Sequence, residues 1–531
     1  MMLVQFRPIT AILLVALSVS AAGVNVASCF GEETSTAKVA TIAIKGSLPE
    51  SPGGPGLLGE TQQNLSDLIR RLEKAAEDEK IDAIVLKLRN PTLGRGKLHE
   101  IRQAIARVRE QDKRIVAEIQ AGTTADYLIA SACDEIVMPE SGYLVLPGVR
   151  FELMYMKGLF DKIGLEADFM QMGKYKGASE PYTRSEASKE FRGQLELVVD
   201  DFYASLVEEI ATSRELEKEQ VEKLIDRGLF TAVDAMRAGL IDRVAYEDQL
   251  EDQLARHLRA DEIDYEENYA AKKVDTDFSG ITGFLRLIEL MMGLEPNSIA
   301  SGKKKIAVVY AIGPIMTGSS QQSFLSGEIM GSDTIVKALR TAADDKTVEA
   351  IVIRVDSPGG SAVASDMIWR EIQQIEKPVF ASMGDTAASG GYYISMGCDK
   401  IFAEPGTLTG SIGVVSGKFA TKETFNKVGI TTDVIARGKN SGLFSMEEKF
   451  TESEREVMTK FMQEIYDQFT SKAAAGRGIK VKQLHDDLAQ GRLWSGQQAK
   501  ENGLVDEVGT LRDAIAAVKK EVGITDDDKV E

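Results

Sequence analysis

Histidine is scarce in this chain, and its scarcity limits the chemistry available. Only three histidines occur among 531 residues, His99, His257 and His485, and each stands among charged neighbours. No HExxH motif is present, so a catalytic zinc held mainly by imidazoles has too few ligands. A Ser-His-Asp triad would also have to use one of these three residues. The composition argues against histidine catalysis, and no metal or organic cofactor is indicated.

Cysteine is equally rare. Three cysteines, Cys29, Cys133 and Cys398, are too few for a disulfide framework in a chain of this length. Cys133 and Cys398 lie in apolar sequence surroundings, and we expect both to be buried, unreactive thiols. Cys29 stands apart, because it lies at the end of the apolar N-terminal segment.

Basic residues are fewer than acidic ones. The chain has 63 lysines and arginines against 82 aspartates and glutamates, a formal net charge of −19. We therefore expect no binding to nucleic acid through a basic surface. No GxxxxGK[ST] motif occurs either, so nucleotide hydrolysis has no support.

Long apolar runs are confined to the N-terminus. The stretch from Pro8 to Gly31 carries no charge, which is typical of an export signal. Three interpretations of residues 1–34 remain open: an uncleaved helix that anchors the chain in a membrane, a lipoprotein signal acylated at Cys29, or a signal that is fully removed. Each one predicts that the rest of the chain lies outside the cytoplasm.

The sequence repeats itself once. Val39–Gly46 resembles Ile306–Gly313, an offset of 267 residues (313 − 46). Three more pairs of blocks follow in the same order, with offsets that drift only to 264 (491 − 227): Asp82–Leu88 with Glu349–Val355, Tyr127–Ile136 with Tyr392–Ile401, and Arg227–Asp242 with Gly491–Asp506. This order indicates the tandem duplication of one domain. We predict a first repeat over residues 38–260 and a second over 306–520.

Residues 261–305 are predicted to link the repeats. The linker begins with the acidic run Asp261–Glu267 and continues into Ile281–Leu294, an apolar stretch with helical periodicity. Packing against a neighbouring domain and contact with a membrane surface both remain open for this helix.

Each repeat alternates short apolar runs with helical stretches. Late in each repeat we predict a long helix, Phe191–Ser213 in the first and Glu452–Ala475 in the second. Apolar runs separated by helices are typical of parallel βαβ units buried on both faces, so the predicted fold class is α/β. The strands predicted in the second repeat are Ile306–Ile312, Ala350–Val355, Val379–Ser382 and Ile401–Ala403, with a helix at Ser365–Glu376.

Two glycine-rich turns follow neighbouring predicted strands in the second repeat. Asp356–Gly360 comes after one strand, and Ala387–Tyr392 comes after the next and opens a helix. Taken alone, Ser389 in front of two glycines reads as an ordinary N-cap. Because the carboxyl ends of parallel strands meet at one edge of a sheet, the two turns together can supply an oxyanion hole and a nucleophilic serine.

A nucleophilic serine needs a base, and lysine is the remaining candidate. A lysine buried away from water has a lowered pKa and can accept a proton. The first repeat offers Lys174 and Lys176 in the short polar loop Met172–Pro181. Taken alone, this loop is an ordinary surface loop.

Together these motifs resemble the bacterial signal peptide peptidase A family in its long, duplicated form. The resemblance extends over nearly everything from residue 38 to residue 520, and rests on Asp356–Ser361, Ala388–Tyr392, Leu408–Gly413 and Gly173–Lys176. It implies a serine endopeptidase with a Ser-Lys dyad on a duplicated Clp protease/crotonase-like fold.

The resemblance also implies roles for five residues. Ser389 would be the nucleophile, Lys176 the general base and Ser411 the hydroxyl that orients the lysine, while Gly359 and Gly360 would form the oxyanion hole. It further implies a homotetramer at the bacterial inner membrane, with its catalytic domains on the extracytoplasmic side. The implied substrates are signal-peptide remnants and other hydrophobic peptides. The mode of anchoring stays open, because of the lipobox-like sequence before Cys29.

The repeat itself predicts one site shared by the two copies. At an offset of 265, Ser389 aligns with Thr124 (389 − 265) and Lys176 aligns with Ser441 (176 + 265). At an offset of 267, Gly359 and Gly360 align with Thr92 and Leu93. The second copy thus keeps the nucleophile and the glycine turn, and the first keeps only the base.

Two other functions remain open at this point. A crotonase-type acyl-thioester enzyme would reuse the same glycine turns without needing Ser389 or Lys176. A catalytically silent scaffold of the cell envelope would need neither the turns nor the dyad.

Overall fold

The computed structural model describes residues 35–51, 63–271, 304–323 and 327–525. The predicted export segment, residues 1–34 with Cys29, lies outside these ranges, and so does the predicted helix Ile281–Leu294. Within the described ranges, no helix is both long enough and apolar enough to cross a membrane.

The first copy is built on a six-stranded parallel sheet. Its strand order is β10-β1-β2-β3-β5-β9. Apolar side chains are buried on both faces of this sheet, as the continuous apolar runs predict. The strands are β1 Thr36–Gly46, β2 Ala83–Pro91, β3 Arg114–Ile119, β4 Ala121–Gly122, β5 Glu135–Met138, β6 Tyr143–Val145, β7 Glu166–Met172, β8 Leu229–Thr231, β9 Arg243–Val244 and β10 Glu262–Glu266. The helices are α1 Leu65–Glu77, α2 Arg95–Glu110, α3 Thr124–Ala130, α4 Lys157–Ile163, α5 Glu180–Thr183, α6 Lys189–Arg214, α7 Lys218–Arg227, α8 Ala232–Arg237 and α9 Glu247–Leu258, with a 3-10 turn at Gly177–Ser179.

The second copy repeats this plan. Its central parallel strands lie in the order β11-β15-β16-β17-β21, and β18 pairs with the end of β16. The strands are β11 Lys305–Ile312, β12 Ile315–Met316, β13 Gln321–Ser323, β14 Gly327–Gly331, β15 Val348–Ser357, β16 Val379–Ala388, β17 Lys400–Ala403, β18 Leu408–Gly410, β19 Val414–Ala420, β20 Leu493–Ser495 and β21 Glu507–Val508. The helices are α10 Ser332–Asp344, α11 Ala362–Ile372, α12 Gly390–Ser395, α13 Lys422–Lys427, α14 Glu452–Arg477, α15 Val481–Gln483, α16 Gly496–Glu501 and α17 Leu511–Glu521, with a π-helical turn at Leu484–Leu488.

Individual hydrogen bonds recur in the two copies. The buried hydroxyl of Tyr127 donates to the carbonyl of Leu240 at 2.9 Å, and the hydroxyl of Tyr392 donates to that of Leu504 at 3.0 Å. Cys133 and its counterpart Cys398 are both free and buried, as predicted, and burial raises the pKa of both thiols. The duplication is therefore a duplication of packing as well as of sequence.

The start of the predicted linker is wrong in one respect. Glu262–Glu266 is not a connection but the edge strand β10, which pairs in parallel with β1. Ile263 and Tyr265 pack on the core of the first sheet, while the alternating residues Glu262, Asp264 and Glu266 are exposed. This alternation of period two is the pattern of a half-buried strand, and in the sequence the acidic charge obscured it.

The strands next to the two glycine turns are longer than predicted. β15 continues to Ser357 and β16 to Ala388, so both strands run directly into the turns. Helix α11 begins at Ala362, three residues before the predicted start, because the Ser361 side chain accepts a hydrogen bond from the N–H of Ala364.

One strand from each copy forms a separate antiparallel pair. β7 of the first copy pairs with β19 of the second, from Met172 opposite Val414 to Glu166 opposite Ala420. The carboxylate of Asp168 in β7 also forms an ion pair at 2.5 Å with Arg455 of α14, which is a further contact between the copies. The two copies are thus joined through backbone hydrogen bonds just before and just after the loops that carry the predicted site.

Candidate active site

Ser389 occupies a sharp turn between β16 and α12. Its backbone has φ 55° and ψ −116°, and a positive φ is costly for a residue with a side chain. The turn is held by hydrogen bonds from the N–H of Ser389 to the carbonyl of Gly410 and from the N–H of Tyr393 to the carbonyl of Ser389, both at 2.9 Å. The predicted position of Ser389, at the start of a helix, is therefore observed.

The glycine turn after β15 lies directly against Ser389. A Cβ atom on Gly359 would lie 2.8 Å from the Cβ of Ser389, and one on Gly360 would lie 2.1 Å from the carbonyl oxygen of Ile315. Both glycines also have positive φ, 96° and 156°. Only glycine permits these two close approaches, of Gly359 to the Ser389 turn and of Gly360 to Ile315.

The two glycines differ in what their N–H groups can do. The N–H of Gly359 donates to the Ser357 hydroxyl at 3.1 Å, so it is already used and does not fit the predicted oxyanion hole. The backbone groups on either side of Gly360 form the hydrogen bonds to the backbone of Ile315. The N–H of Gly360 itself therefore points away from Ile315. Gly390, the residue after Ser389, is the first residue of α12, where backbone N–H groups have no partner within the helix. Sequence reasoning missed this second donor, although the Ser-Gly-Gly pattern at a helix start indicates it.

Lys176 reaches Ser389 from the other copy. Its Nζ lies 3.0 Å from the Oγ of Ser389, 2.7 Å from the carbonyl oxygen of Ser411 and 2.8 Å from the Oγ of Ser411. The loop of Lys176 rests on a second glycine contact, because a Cβ on Gly491 would lie 2.6 Å from the Cα of Lys176. All three predicted side chains are thus brought together within one chain, across the junction of the copies.

Burial determines the charge of Lys176. Its side chain is buried, and this loss of water lowers the pKa of Lys176 from 10.5 to about 7. Desolvation is the only cause of the shift, since no carboxylate among the described residues raises it. At neutral pH about half of the molecules would therefore carry a neutral amine next to the serine hydroxyl.

The corresponding region of the first copy is closed. The carboxylate of Asp126 accepts hydrogen bonds from the N–H and hydroxyl of Thr123 and from the N–H of Asn90. Asn90 aligns with Ser357 at an offset of 267 (357 − 267), so an acidic side chain is bonded to the residue at which the counterpart of the glycine turn begins. An oxyanion could not bind beside this buried negative charge. Ser441, the residue aligned with Lys176, is exposed.

Comparison with protein families gives two matches. The model of peptidase family S49 matches residues 107–261 and again residues 371–525. The model of Clp protease matches residues 319–409, the part that contains both glycine turns. The first match falls once in each copy, so it supports the duplication as well as the family.

Curated relatives agree over most of the chain. The protein "Serine protease SPPA, chloroplastic" of Arabidopsis thaliana is 33% identical over 88% of this chain and 67% of its own length. "Protease 4" of Haemophilus influenzae is 31% identical over 88% of this chain and 74% of its own length. "Putative signal peptide peptidase SppA" of Enterococcus faecium is 35% identical over 43% of this chain and 66% of its own length.

The duplicated α/β fold and these relatives define a serine-type protease. The chain belongs to peptidase family S49, and its two copies are two S49 domains with a Clp-protease-like fold. The resemblance to signal peptide peptidases found in the sequence is confirmed.

Proposed function

We propose that the protein is an endopeptidase in which Ser389 is the nucleophile and Lys176 the general base. The observation that carries this proposal is the 3.0 Å distance between Lys176 Nζ and Ser389 Oγ at a lysine whose pKa is about 7. A general base works best when its pKa lies near the working pH and it is within hydrogen-bond reach of the proton it accepts. Lys176 satisfies both conditions.

The surroundings of Lys176 suit a neutral amine. Such an amine has two N–H donors and one lone pair. The carbonyl oxygen of Ser411 can only accept, and the Oγ of Ser411 can accept the second N–H. The lone pair is then left for the hydroxyl proton of Ser389, so Ser411 acts as a positioning residue for the base.

The reaction follows from this arrangement. Ser389 Oγ attacks the peptide carbonyl carbon while its proton passes to Lys176 Nζ, and the carbonyl oxygen becomes negative. The N–H groups of Gly360 and Gly390 donate to this oxyanion. When the C–N bond breaks, the ammonium of Lys176 returns the proton to the departing amine. A water molecule, deprotonated in turn by Lys176, then attacks the carbonyl carbon of the acyl-enzyme. Its proton passes from Lys176 to Ser389 Oγ as the C–Oγ bond breaks and the peptide acid leaves.

Apolar side chains near the turn support hydrophobic peptides as substrates. Met316 follows the residue that bridges to Gly360 and is 51% exposed. Val363 and Met367 lie four residues apart on α11, which begins just after the glycine turn, and they are also exposed. A peptide that places apolar side chains here would cover surface that is costly to leave in water. Signal-peptide remnants have this chemistry, and we include them among the substrates.

Exposed apolar segments support self-association and a membrane setting. Met154 in the first copy and Ile435 and Phe444 in the second are 78%, 88% and 82% exposed, and each lies in a segment without regular structure. Exposed apolar side chains that follow one another along a segment, as Val428, Ile430, Val434 and Ile435 do, are typical of a surface that a partner covers. We propose that they meet in a homotetramer, which residues 1–34 would hold at the extracytoplasmic face of the bacterial inner membrane.

Covalent trapping tests the proposed chemistry. The full chain would be incubated with a labelled peptidyl phosphonate and, in parallel, with an unlabelled apolar peptide and an acyl-coenzyme A thioester. We expect the label on Ser389, cleavage of the peptide and no turnover of the thioester, with Ser389→Ala losing both label and cleavage. Thioester turnover that survives Ser389→Ala would support a crotonase-type enzyme. A folded protein that neither labels nor cleaves would support the silent scaffold.

A further inference from the structure

The two strands that end in the glycine turn and in Ser389 separate just before they reach them. β15 and β16 pair regularly as far as Val355 and Met383, and the pairing resumes only at Ser357 and Ala387. Three residues of β16, 384–386, therefore stand opposite the single residue Asp356. A bulge of this kind changes the direction in which the following side chains point. The shape of the bulge therefore affects the orientation of the Ser389 side chain, which follows three residues later.

A lysine from the first copy is inserted into this bulge. The Nζ of Lys97 lies 2.6 Å from a carboxylate oxygen of Asp385 and 2.9 Å from one of Asp356. It also lies 3.5 Å from Glu50, whose carboxylate is paired with the buried guanidinium of Arg354. One ammonium therefore bridges the two sides of the bulge, one acid on β15 and the other on β16.

The beginning of helix α2 is fitted to the same bulge. The helix has no side-chain cap of its own, and the N–H of Lys97 donates instead to Asp385 at 3.1 Å. A Cβ on Gly94 would lie 2.2 Å from the carboxylate carbon of Asp385, and one on Gly96 would lie 2.8 Å from the carbonyl oxygen of Gly384. A carboxylate of the second copy thus caps a helix of the first, at a distance that only glycines allow.

The surroundings of Lys97 shift its pKa in the opposite direction from that of Lys176. Burial alone would lower the pKa of Lys97, but the carboxylates of Asp385, Glu50 and Asp356 raise it above its ordinary value. Lys97 is therefore held as a cation. Removing it would leave two carboxylates, 16% and 20% exposed, facing each other without a counter-ion, and like charges in partly buried positions repel strongly.

We propose that Lys97 is a positioning residue for the protease: by neutralising Asp356 and Asp385 together, it holds the bulge in the shape that aims Ser389 and Gly360 at one substrate carbonyl. This inference rests on the proposed function of Ser389. It gives the first copy a second contribution to the reaction, independent of the base Lys176.

Comparison of the two copies distinguishes this positioning role from general packing. At an offset of 267, Asp356 aligns with Arg89 (356 − 267), and at 265, Asp385 aligns with Gln120 (385 − 265). The first copy, which has Thr92 and Leu93 in place of the two glycines, thus lacks the acid pair altogether. The pair occurs only beside a nucleophile.

Three variants and one control test the proposal. Lys97→Met removes the charge at similar size, Lys97→Arg keeps the charge, and Asp385→Asn keeps an acceptor for the helix while removing the charge. The control is Arg512→Met, which breaks another ion pair between the copies, with Glu73, and lies on α17, away from the turns. The measurements are kcat, KM, the pH profile and the rate of phosphonate labelling at Ser389, all on the full chain.

We expect Lys97→Met and Asp385→Asn to lower kcat and the labelling rate by about 10- to 100-fold, the range expected when reacting groups are displaced by up to 1 Å. KM and the kinetic pKa near 7 should hardly change, because Lys97 touches neither Lys176 nor the substrate surface. Lys97→Arg should recover most of the rate, and Arg512→Met should match the wild type.

Several results would overturn the inference. One is a folded Lys97→Met that labels within about twofold of Arg512→Met; another is a kinetic pKa that moves, since Lys97 would then act through the charge of Lys176. If Lys97→Met fails to fold, Asp385→Asn decides, and full kcat in that variant sinks the proposal. If the wild-type chain itself does not label at Ser389, the proposed function has failed rather than the positioning.

Discussion

Replacing Lys176 with methionine is expected to abolish activity and, at neutral pH, to make the protein more stable. The pKa of Lys176 falls from 10.5 to about 7 in the folded protein. At pH 7, keeping this amine in its buried place costs about 4 kcal/mol, at 1.36 kcal/mol for each tenfold change in the proton equilibrium. The amine recovers about 2 kcal/mol from its two hydrogen bonds to Ser411. Methionine removes both contributions, so the net gain in stability is about 2 kcal/mol.

The gain should depend on pH with a defined sign. Between about pH 7 and pH 10.5 the unfolded lysine holds a proton that the folded one has lost. The free energy of unfolding of the wild type therefore increases as the pH rises through this window. Lys176→Met has no titrating group at this position, so its free energy of unfolding lacks this dependence on pH. The two stability curves should cross near pH 9, where the cost of deprotonation has fallen to about 2 kcal/mol.

Thermal melts of the two proteins from pH 6 to pH 10.5 measure this difference. Lys176→Met should melt higher at pH 7 and lower at pH 10.5. In parallel, kcat/KM of the wild type should rise about tenfold per pH unit below pH 7 and level off above it. A melting difference that is independent of pH, or a rate that does not change between pH 5 and pH 8, would show that Lys176 is not a desolvated base.

Other predictions use the duplication and the chemistry as controls. Ser389→Ala and Lys176→Ala should each reduce turnover by about 1,000-fold or more, with the double variant little worse, because residues that act as one unit are not additive. Thr124→Ala and Ser441→Ala, at the aligned positions, should stay within about threefold of the wild type, since surface and half-buried polar changes cost little; a folded but inactive Thr124→Ala would contradict the split site. EDTA should leave peptide cleavage unchanged, and a loss of activity would sink the metal-free mechanism. Light scattering of the purified protein should give four chains per particle, and a monomer at micromolar concentration would refute the tetramer.

The sequence was sufficient for the parts of the site that depend on strand ends and on the repeat. Ser389 and the glycine pair follow apolar runs that are typical of strands. The choice of Lys176 over Lys174 came from the family resemblance, and the repeat added that the position aligned with Lys176 in the second copy is Ser441. The scarcity of histidine then left lysine as the base. These inferences use local patterns, alignment within the chain and the family resemblance, and none of them needs a knowledge of contacts.

The contacts between the two copies could not be predicted from the sequence. Lys97 and Asp385 are 288 residues apart, and nothing in the helical pattern of α2 marks one lysine as the partner of a distant bulge. The bulge itself depends on a register shift between β15 and β16, which apolar runs do not encode. The same holds for the N–H of Gly359, because its donation to Ser357 depends on the detailed shape of the turn.

The antiparallel pair of β7 and β19 has a consequence for how this protein could have evolved. Before duplication, a single-copy ancestor could have formed such a pair only between two subunits, each bringing its own serine and lysine. Fusion would make that partner permanent, so that one serine and one lysine could be lost without penalty. In the present first copy, the carboxylate of Asp126 accepts hydrogen bonds from the N–H groups of Asn90 and Thr123 beside the aligned turn. In the proposed mechanism the two halves depend on each other, because one reaction centre takes its base from the first copy and its nucleophile from the second. Restoring a second centre would then require changes at Thr92, Leu93, Thr124, Asp126 and Ser441 together.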